Sequence, residues 1–436
     1  MSFEYRLSTL FAIVFLVFSS TRSTADEWPQ WRGPNRDGVW AETGVVDGFS
    51  SPQIERKWSV PISSGYCGPT VADGRVYVTD RVIEPEDIER VHCFDWQTGG
   101  KIWSFSYDCE YRGFSYTAGP RASVLIDEGR AYSLGAAGHL FCFDAAEGAV
   151  LWSKDLRRDY KIRMPLWGIA ASPVVEGGLL ILQIGGEDEA CLIALDKMTG
   201  EQRWTALPDV ASYAAPIVID QCGKRVLVCK TGDRIVGLGA ATGKLHWAVP
   251  VPWKSWPIGI ATPVLDRDML LTTEAHKGTL LLRLSTDSLT VDELWHRGRQ
   301  NSEDKTALHC LISTPYVDGD FIYGADSRGV LRCLRLDTGK QVWEDRTAVP
   351  EDRFATIHLI RNGDRTWLFN EQGEMIIARL TPQGFNEISR AKLLDTTTEQ
   401  LPRRRGGVTW SHPAFAYRHV FARNDKELVC ADVSAK

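Results

Sequence analysis

Residues 337–343 read DTGKQVW, and the chain writes looser copies of them four more times. QTGGKIW ends at Trp103, AEGAVLW at Trp152, MTGEQRW at Trp204 and ATGKLHW at Trp247. With Trp58 and Trp295 added, the tryptophans recur about every 50 residues, the mark of stacked supersecondary units. Four residues before the Trp stands Gly99, Gly148, Gly200, Gly243 or Gly339, supplying a turn with positive φ. Ten before it stands a small residue: Cys93, Cys142, Ala194, Gly237, Ser285 or Cys333. In the unit without a Trp, Ile388 takes its place and Ala378 stands ten before. The pattern implies a socket in which each indole seats against a neighbouring unit beside an undersized side chain. An indole buries about 200 Å², and its truncation to Ala costs roughly 3–5 kcal/mol. Trp58, Trp103, Trp152, Trp204, Trp247, Trp295 and Trp343 therefore read as structural blade-docking residues, and no catalytic role is assigned to them.

Working outward, each unit also opens alike: GPTVADGRVYV, SPVVEGGLLIL, TPVLDRDMLLT, TPYVDGDFIYG. These are two short apolar strands around a tight turn such as Asp73-Gly74. A third strand follows, HLFCFD at 139–144 for example, then the Gly turn and a fourth strand carrying the Trp. Four antiparallel strands at this period describe a propeller blade. The openings fall at Pro69, Pro120, Pro173, Pro216, Pro263, Pro315, Thr356 and Pro413. The last unit runs out after three strands, and QIERKWSV, with Trp58, supplies the fourth. The expected fold is an all-β, eight-bladed β-propeller of four-stranded antiparallel blades, its ring closed by an N-terminal strand in the last blade. Closure removes a free sheet edge.

The expected organisation is a signal peptide over 1–25, an N-terminal capping arm over 26–53 and the propeller over 54–436. LSTLFAIVFLVF is apolar but too short to span a bilayer, and STA at 23–25 has the small-x-small form of a cleavage site. Cleavage near Ala25 would leave a periplasmic or secreted chain with no stable membrane anchor, expected to be a monomer. The formal charge of −6 argues against nucleic acid, which wants a basic excess. Cys93, Cys142, Cys333 and Cys430 share one repeat position on separate blades, too far apart for a disulfide. Pairing among Cys67, Cys109, Cys191, Cys222, Cys229 and Cys310 stays open.

The unit LDKMTGEQRW resembles the repeat of quinoprotein-dehydrogenase-like propellers, and EWPQWRGPNRDGVW is similar to the leader of secreted bacterial PQQ-like repeat proteins. That superfamily includes pyrroloquinoline quinone (PQQ) dehydrogenases and the non-enzymatic propeller of the bacterial outer-membrane β-barrel assembly machinery. The resemblance covers residues 26–436 and implies two functions. One is a non-catalytic binding or scaffolding module working through its loop face. The alternative is a PQQ-dependent oxidoreductase acting on an alcohol or sugar, with PQQ and calcium as cofactors. The chain has no adjacent Cys pair, no Cys-x-x-Cys-His haem site and no legible calcium set, so the first reading is preferred and no catalytic residue or metal ligand is assigned.

Propellers place function where loops meet the central channel. Just before each inner strand stands an aromatic or His: Tyr66, Tyr116, Trp167, Tyr213, Trp256, His309, Phe354 and Trp410. Pointing inward, they would line a funnel able to stack a flat ring. Lys254 and Arg404 lie in basic stretches of the same loops, which suits a small anionic aromatic ligand or a protein partner. The competing reading is that these rings plug the channel. Trp28, Trp31 and Trp40 fall in a stretch without strand period and read as a cap over the propeller. DRD at 266–268 and DGD at 318–320 occupy hairpin-turn positions and read as turns.

Overall fold

The computed structural model describes residues 27–113, 115–252, 257–299, 304–397 and 406–435. The leader expected over 1–25 lies outside the described residues, as do Lys254, Trp256 and Arg404.

Eight sheets, each of four antiparallel strands, make up the chain, with one short helix, Leu156–Asp159, among the described residues. The first blade runs Thr70–Ala72, Arg75–Val82, Ile88–Asp95, Lys101–Asp108, in spatial as in chain order. Ala72 pairs with Arg75 across a two-residue turn in which Asp73 and Gly74 have φ of 50° and 72°, the type I′ geometry that suits strand twist. The last blade holds Ala414–Ala416, His419–Arg423 and Glu427–Asp432, and its outer strand is Trp58–Pro61, with Trp58 paired to Cys430. The eight-bladed propeller closed by its N-terminal strand is therefore the architecture observed.

The repeated letters act at the junctions between blades. Trp103 donates its indole N–H to the carbonyl of Ala145 in the next blade at 3.0 Å. Trp152 reaches Lys197 at 3.2 Å, Trp204 reaches Ala240 at 3.2 Å, Trp295 reaches Leu336 at 2.9 Å and Trp343 reaches Thr381 at 2.8 Å. Trp58 continues the series across the closure to Trp96 at 2.9 Å. In the first two junctions a tyrosine adds a second bond to the same oxygen: Tyr77 to Ala145 and Tyr132 to Lys197, both 3.0 Å. The recurring glycine of the repeat has two duties. Gly148 has φ 75°, and a Cβ there would stand 2.5 Å from the Trp103 ring of the preceding blade. The turn needs a left-handed residue and the neighbouring indole needs the missing methyl.

Three expectations about the sockets need correction. The small residue ten before the Trp lies in the same blade, as the cross-strand partner of the indole: Cys93 faces Trp103, Cys142 faces Trp152 and Gly237 faces Trp247. The neighbouring blade contributes the glycine instead. Ser285 is not a socket either, because Leu281 faces Trp295 and the turn between the strands is longer in that blade. In the blade whose outer strand lacks a Trp, the hairpin is two residues longer, which puts Ser389 opposite Ile377, leaves Ile388 exposed and sets Ala378 opposite Glu387.

Two junctions lack the direct bond. Trp247 donates to Gln221 Oε1 of its own blade at 3.0 Å, and Gln221 Nε2 donates onward to the Thr290 carbonyl of the next blade at 2.8 Å. Past Ser389 the N-terminal arm takes over. Phe49 N–H donates to Ser389 Oγ at 2.8 Å, its ring meets Trp367 at 5.8 Å, and Ile54 N–H donates to Lys392.

Upstream, the arm crosses the face that carries the inner-hairpin turns. Trp28 bridges to Val71, Pro29 accepts from Ile126, and Val39 bridges to Arg361. Trp28 and Trp40 are buried against Phe415, whose blade closes the ring. Arg36 donates to the carbonyls of Ser172 and Pro173 at 3.0 and 2.8 Å. Burial pulls its guanidinium down to about 9, which leaves it charged at neutral pH.

All ten cysteines carry free thiols, and only Cys222 is exposed. Burial raises the thiols of Cys93, Cys142, Cys333 and Cys430, in keeping with small apolar fillers.

Candidate functional site

On the opposite face, the loops leading into the inner strands converge on one recess of roughly 930 Å³, part of it open to solvent. Six of the ten residues singled out in the sequence line it: Tyr66, Tyr116, Trp167, Tyr213, Phe354 and Trp410. Trp256, Lys254 and Arg404 lie outside the described residues. His309 does not line it. That imidazole is buried, with Nε2 donating to the Asp304 carbonyl at 3.2 Å, and its edge lies where a Cβ on Gly298 would stand.

The lining rings form a connected arc. Tyr66 stacks near Trp410 with centroids 6.3 Å apart, and Trp410 approaches Tyr116 at 6.0 Å. Tyr116 meets Trp167 edge-on at 5.8 Å, and Trp167 meets Tyr213 at 5.0 Å. Offset and edge-to-face geometries of this kind are the favoured ones. Backbone bonds between successive loops fix the arc: Tyr66 N–H to Pro120, Ser115 N–H to Leu166, Tyr213 N–H to Gly259. Tyr116 and Phe354 hold φ of 58° and 61°, a left-handed backbone that costs a bulky residue about 1–2 kcal/mol. Phe354 is held there by its N–H to the Ser327 carbonyl at 2.8 Å. Such strain concentrates where a side chain must be aimed.

Sequence reasoning missed the floor and the rim. Trp31 comes up from the arm, donates its indole N–H to Thr262 Oγ1 at 2.7 Å and meets His412 edge-on at 4.5 Å. The recess is therefore blind. His412 accepts from Ser123 through Nε2 at 2.8 Å while Nδ1 donates to the Pro413 carbonyl at 3.2 Å. His358 donates from Nε2 to the Trp410 carbonyl at 3.0 Å. Burial lowers His358 to about 4 and His412 to about 3, so both are neutral at physiological pH. At the rim the Arg121 guanidinium lies 5.1 Å over the Tyr66 ring and is oriented by the carbonyls of Gly119 and Ser115. Arg353 lies 4.8 Å over Phe354. Desolvation raises the Tyr66 and Tyr213 hydroxyls to about 12, so neither supplies a phenolate.

The family model described as outer membrane protein assembly factor BamB matches residues 87–343 and 221–434. The chain belongs to this PQQ-repeat family. It is 22% identical over 440 residues to the outer membrane protein assembly factor BamB of Burkholderia pseudomallei (strain K96243), covering 94% of this chain and 98% of that one. Among solved structures, BamB from Moraxella catarrhalis superposes with a TM-score of 0.59 at 16% identity, over 87% of this chain and 99% of the other. The quinohemoprotein alcohol dehydrogenase from Comamonas testosteroni gives 0.63 at 14% identity, over 94% and 81%. At such identities the two superpositions establish the fold alone.

The dehydrogenase-like fold raises the question whether the recess fits a quinone with its calcium. PQQ carries several carboxylates, and calcium takes six to eight oxygen ligands rich in carboxylate. The described lining has aromatic rings, aliphatic side chains, two neutral imidazoles, Ser172 and the single cation Arg121, and no carboxylate. Glu371 lies behind the wall, accepting from the Trp410 indole at 3.2 Å and the Thr356 N–H at 3.2 Å. No cluster of three or more His, Cys, Asp or Glu suited to a metal occurs among the described residues. This donor set does not fit the pair.

Proposed function

We propose that the chain is a non-catalytic binding propeller that works outside the cytoplasm in outer-membrane protein assembly, engaging a protein partner through its loop face. Membership of the assembly-factor family supports the class. The observation that carries the mode of action is the blind, ring-walled recess, in which loops from several blades aim aromatic side chains at one point. Rigid aromatic anchors dominate binding surfaces. The proposal includes removal of the leader after Ala25. None of the described helices is long and apolar enough to cross a membrane.

A photo-crosslinking amino acid placed at Tyr116 or Trp410, in cells, should capture an assembly-machinery component. The same group at Leu151, exposed on an outer strand, should not. Equal capture from all three positions refutes loop-face docking. Saturable binding of PQQ with Ca²⁺, accompanied by reduction of an artificial acceptor over an alcohol and sugar panel, would establish the dehydrogenase reading instead.

A further inference from the structure

The recess and its rim differ in character, and the difference specifies what enters. The wall is a continuous arc of rings from Tyr66 to Tyr213, and the floor is the arm's Trp31 between neutral imidazoles. Beside the recess, among the described residues, Arg121 and Arg353 each lie over a ring of the wall.

We propose that the recess docks an acidic peptide segment of a partner protein, seating one aromatic side chain in the pit with flanking carboxylates against Arg121 and Arg353. Three considerations select this occupant. First, the pit is walled by ring faces and floored by the Trp31 indole, which suits an inserted aromatic side chain. Second, an aromatic box ordinarily attracts a cation. Here the Tyr66 and Phe354 faces already carry guanidinium groups, so an incoming ammonium would meet like charge at the mouth. Third, the carbonyls of Gly119, Ser115 and Tyr116 hold the Arg121 guanidinium in place, and a fixed positive charge beside the pit attracts a carboxylate. The floor then sets depth: with Trp31 bonded to Thr262, a ring stops there instead of entering the channel.

The inference rests on the loop face being the binding surface, and a peptide panel separates the two claims. Labelled, end-blocked pentapeptides are titrated by fluorescence anisotropy into the mature protein. One has tryptophan centred between glutamates. In the others, alanine replaces the tryptophan, glutamines replace the glutamates, or lysines replace the glutamates. Indole-3-acetate serves as an unlabelled competitor. The glutamate–tryptophan peptide should bind about tenfold tighter than each control, the range of one charge-assisted contact pair. The double variant Arg121→Gln, Arg353→Gln should erase the glutamate-over-glutamine preference while tryptophan is still preferred to alanine. Trp31→Ala should weaken every tryptophan peptide alike. Arg121→Lys, which keeps the charge, should retain the glutamate preference and so separates charge from misfolding, with thermal melts as a check. Equal binding of the lysine peptide, or of the alanine peptide, overturns the proposal. So does indole-3-acetate matching the peptide in affinity, which would make the recess a small-molecule site. Crosslinks from Tyr116 without any charge preference would sink this inference and leave loop-face docking standing.

Discussion

Six blade junctions are closed by an indole that crosses to the next blade, and two are not. At the six, one side chain fills space and supplies a hydrogen-bond donor, so the junction is specified within a seven-residue repeat. At the junction after Trp247 the donor falls short, and Gln221 relays the bond to Thr290. At the junction after Ser389 no indole crosses from the outer strand, and Phe49 and Ile54 arrive from a segment more than three hundred residues away in the sequence. A repeat can fail at one place if distant chain makes up the contact. The same arm sends Trp31 to the floor of the recess, so the least regular junction and the candidate site depend on one segment.

The largest effect is expected from Trp103→Ala, which removes a buried indole and its bond to Ala145 at a regular junction. A loss of about 3–5 kcal/mol in urea unfolding follows from large-to-small truncation in a packed site. Phe49→Ala, at the arm-held junction, should cost less than about 2 kcal/mol, because Phe49 is only partly buried and the arm has other anchors. If Phe49→Ala matches Trp103→Ala, the arm is a principal closure and the contrast between the junctions fails.

The belt was legible because its physics is local. An indole seeking a small partner and a carbonyl acceptor leaves the same letters wherever it occurs. The errors arise where counting along the chain ignores geometry. Counting ten back from Trp295 reaches Ser285, but the turn from Ser285 to Thr290 is longer than a Gly turn, and Leu281 holds the position. The hairpin that ends at Ser389 is also longer, with Ile377 and Ser389 twelve residues apart, so counting ten back from Ile388 reaches the wrong pair. The wall of the recess was readable from the position just before each inner strand. Trp31 was not, because nothing in WPQWRGPN says which blades it will meet, although three aromatic or basic residues in a strandless stretch signal a docked segment. Arg121 gave no signal, since its aim depends on the carbonyls of a loop. His309 occupied the right position, yet a nearby backbone oxygen and a glycine drew it into the protein.

Acid should weaken the irregular side of the ring first. His358 and His412 bracket the entrance to the last blade, and burial holds both neutral, at about 4 and about 3. Their folded values lie below the unfolded value near 6.5. The unfolded chain therefore binds more protons in that interval, and stability falls as pH drops below about 6.5. Above it, these groups contribute no slope. The slope is at most about 1.4 kcal/mol per pH unit for each imidazole, for a total of a few kcal/mol by pH 4.5. His412→Gln should flatten the profile between pH 6.5 and 4.5. Limited proteolysis should show the arm released before the regular blades. A profile unchanged by that substitution, or uniform release, would mean that the floor is not the acid-labile part.

The most local effect should come from Gln221→Met, which keeps the length of the side chain and deletes both ends of the relay. Gln221 is buried, so the Trp247 N–H would lose its partner with little room for water, while the Thr290 carbonyl keeps the Ser285 N–H. Leaving a buried group unsatisfied costs about 1–3 kcal/mol, below the full loss of an indole because Trp247 remains packed against Gly237. The Trp247 side-chain N–H should then exchange with solvent faster while that of Trp103 is unchanged, readable by NMR hydrogen exchange. Should both indoles exchange alike, the ring would be transmitting strain from junction to junction, and the blades could not be treated as separately fastened.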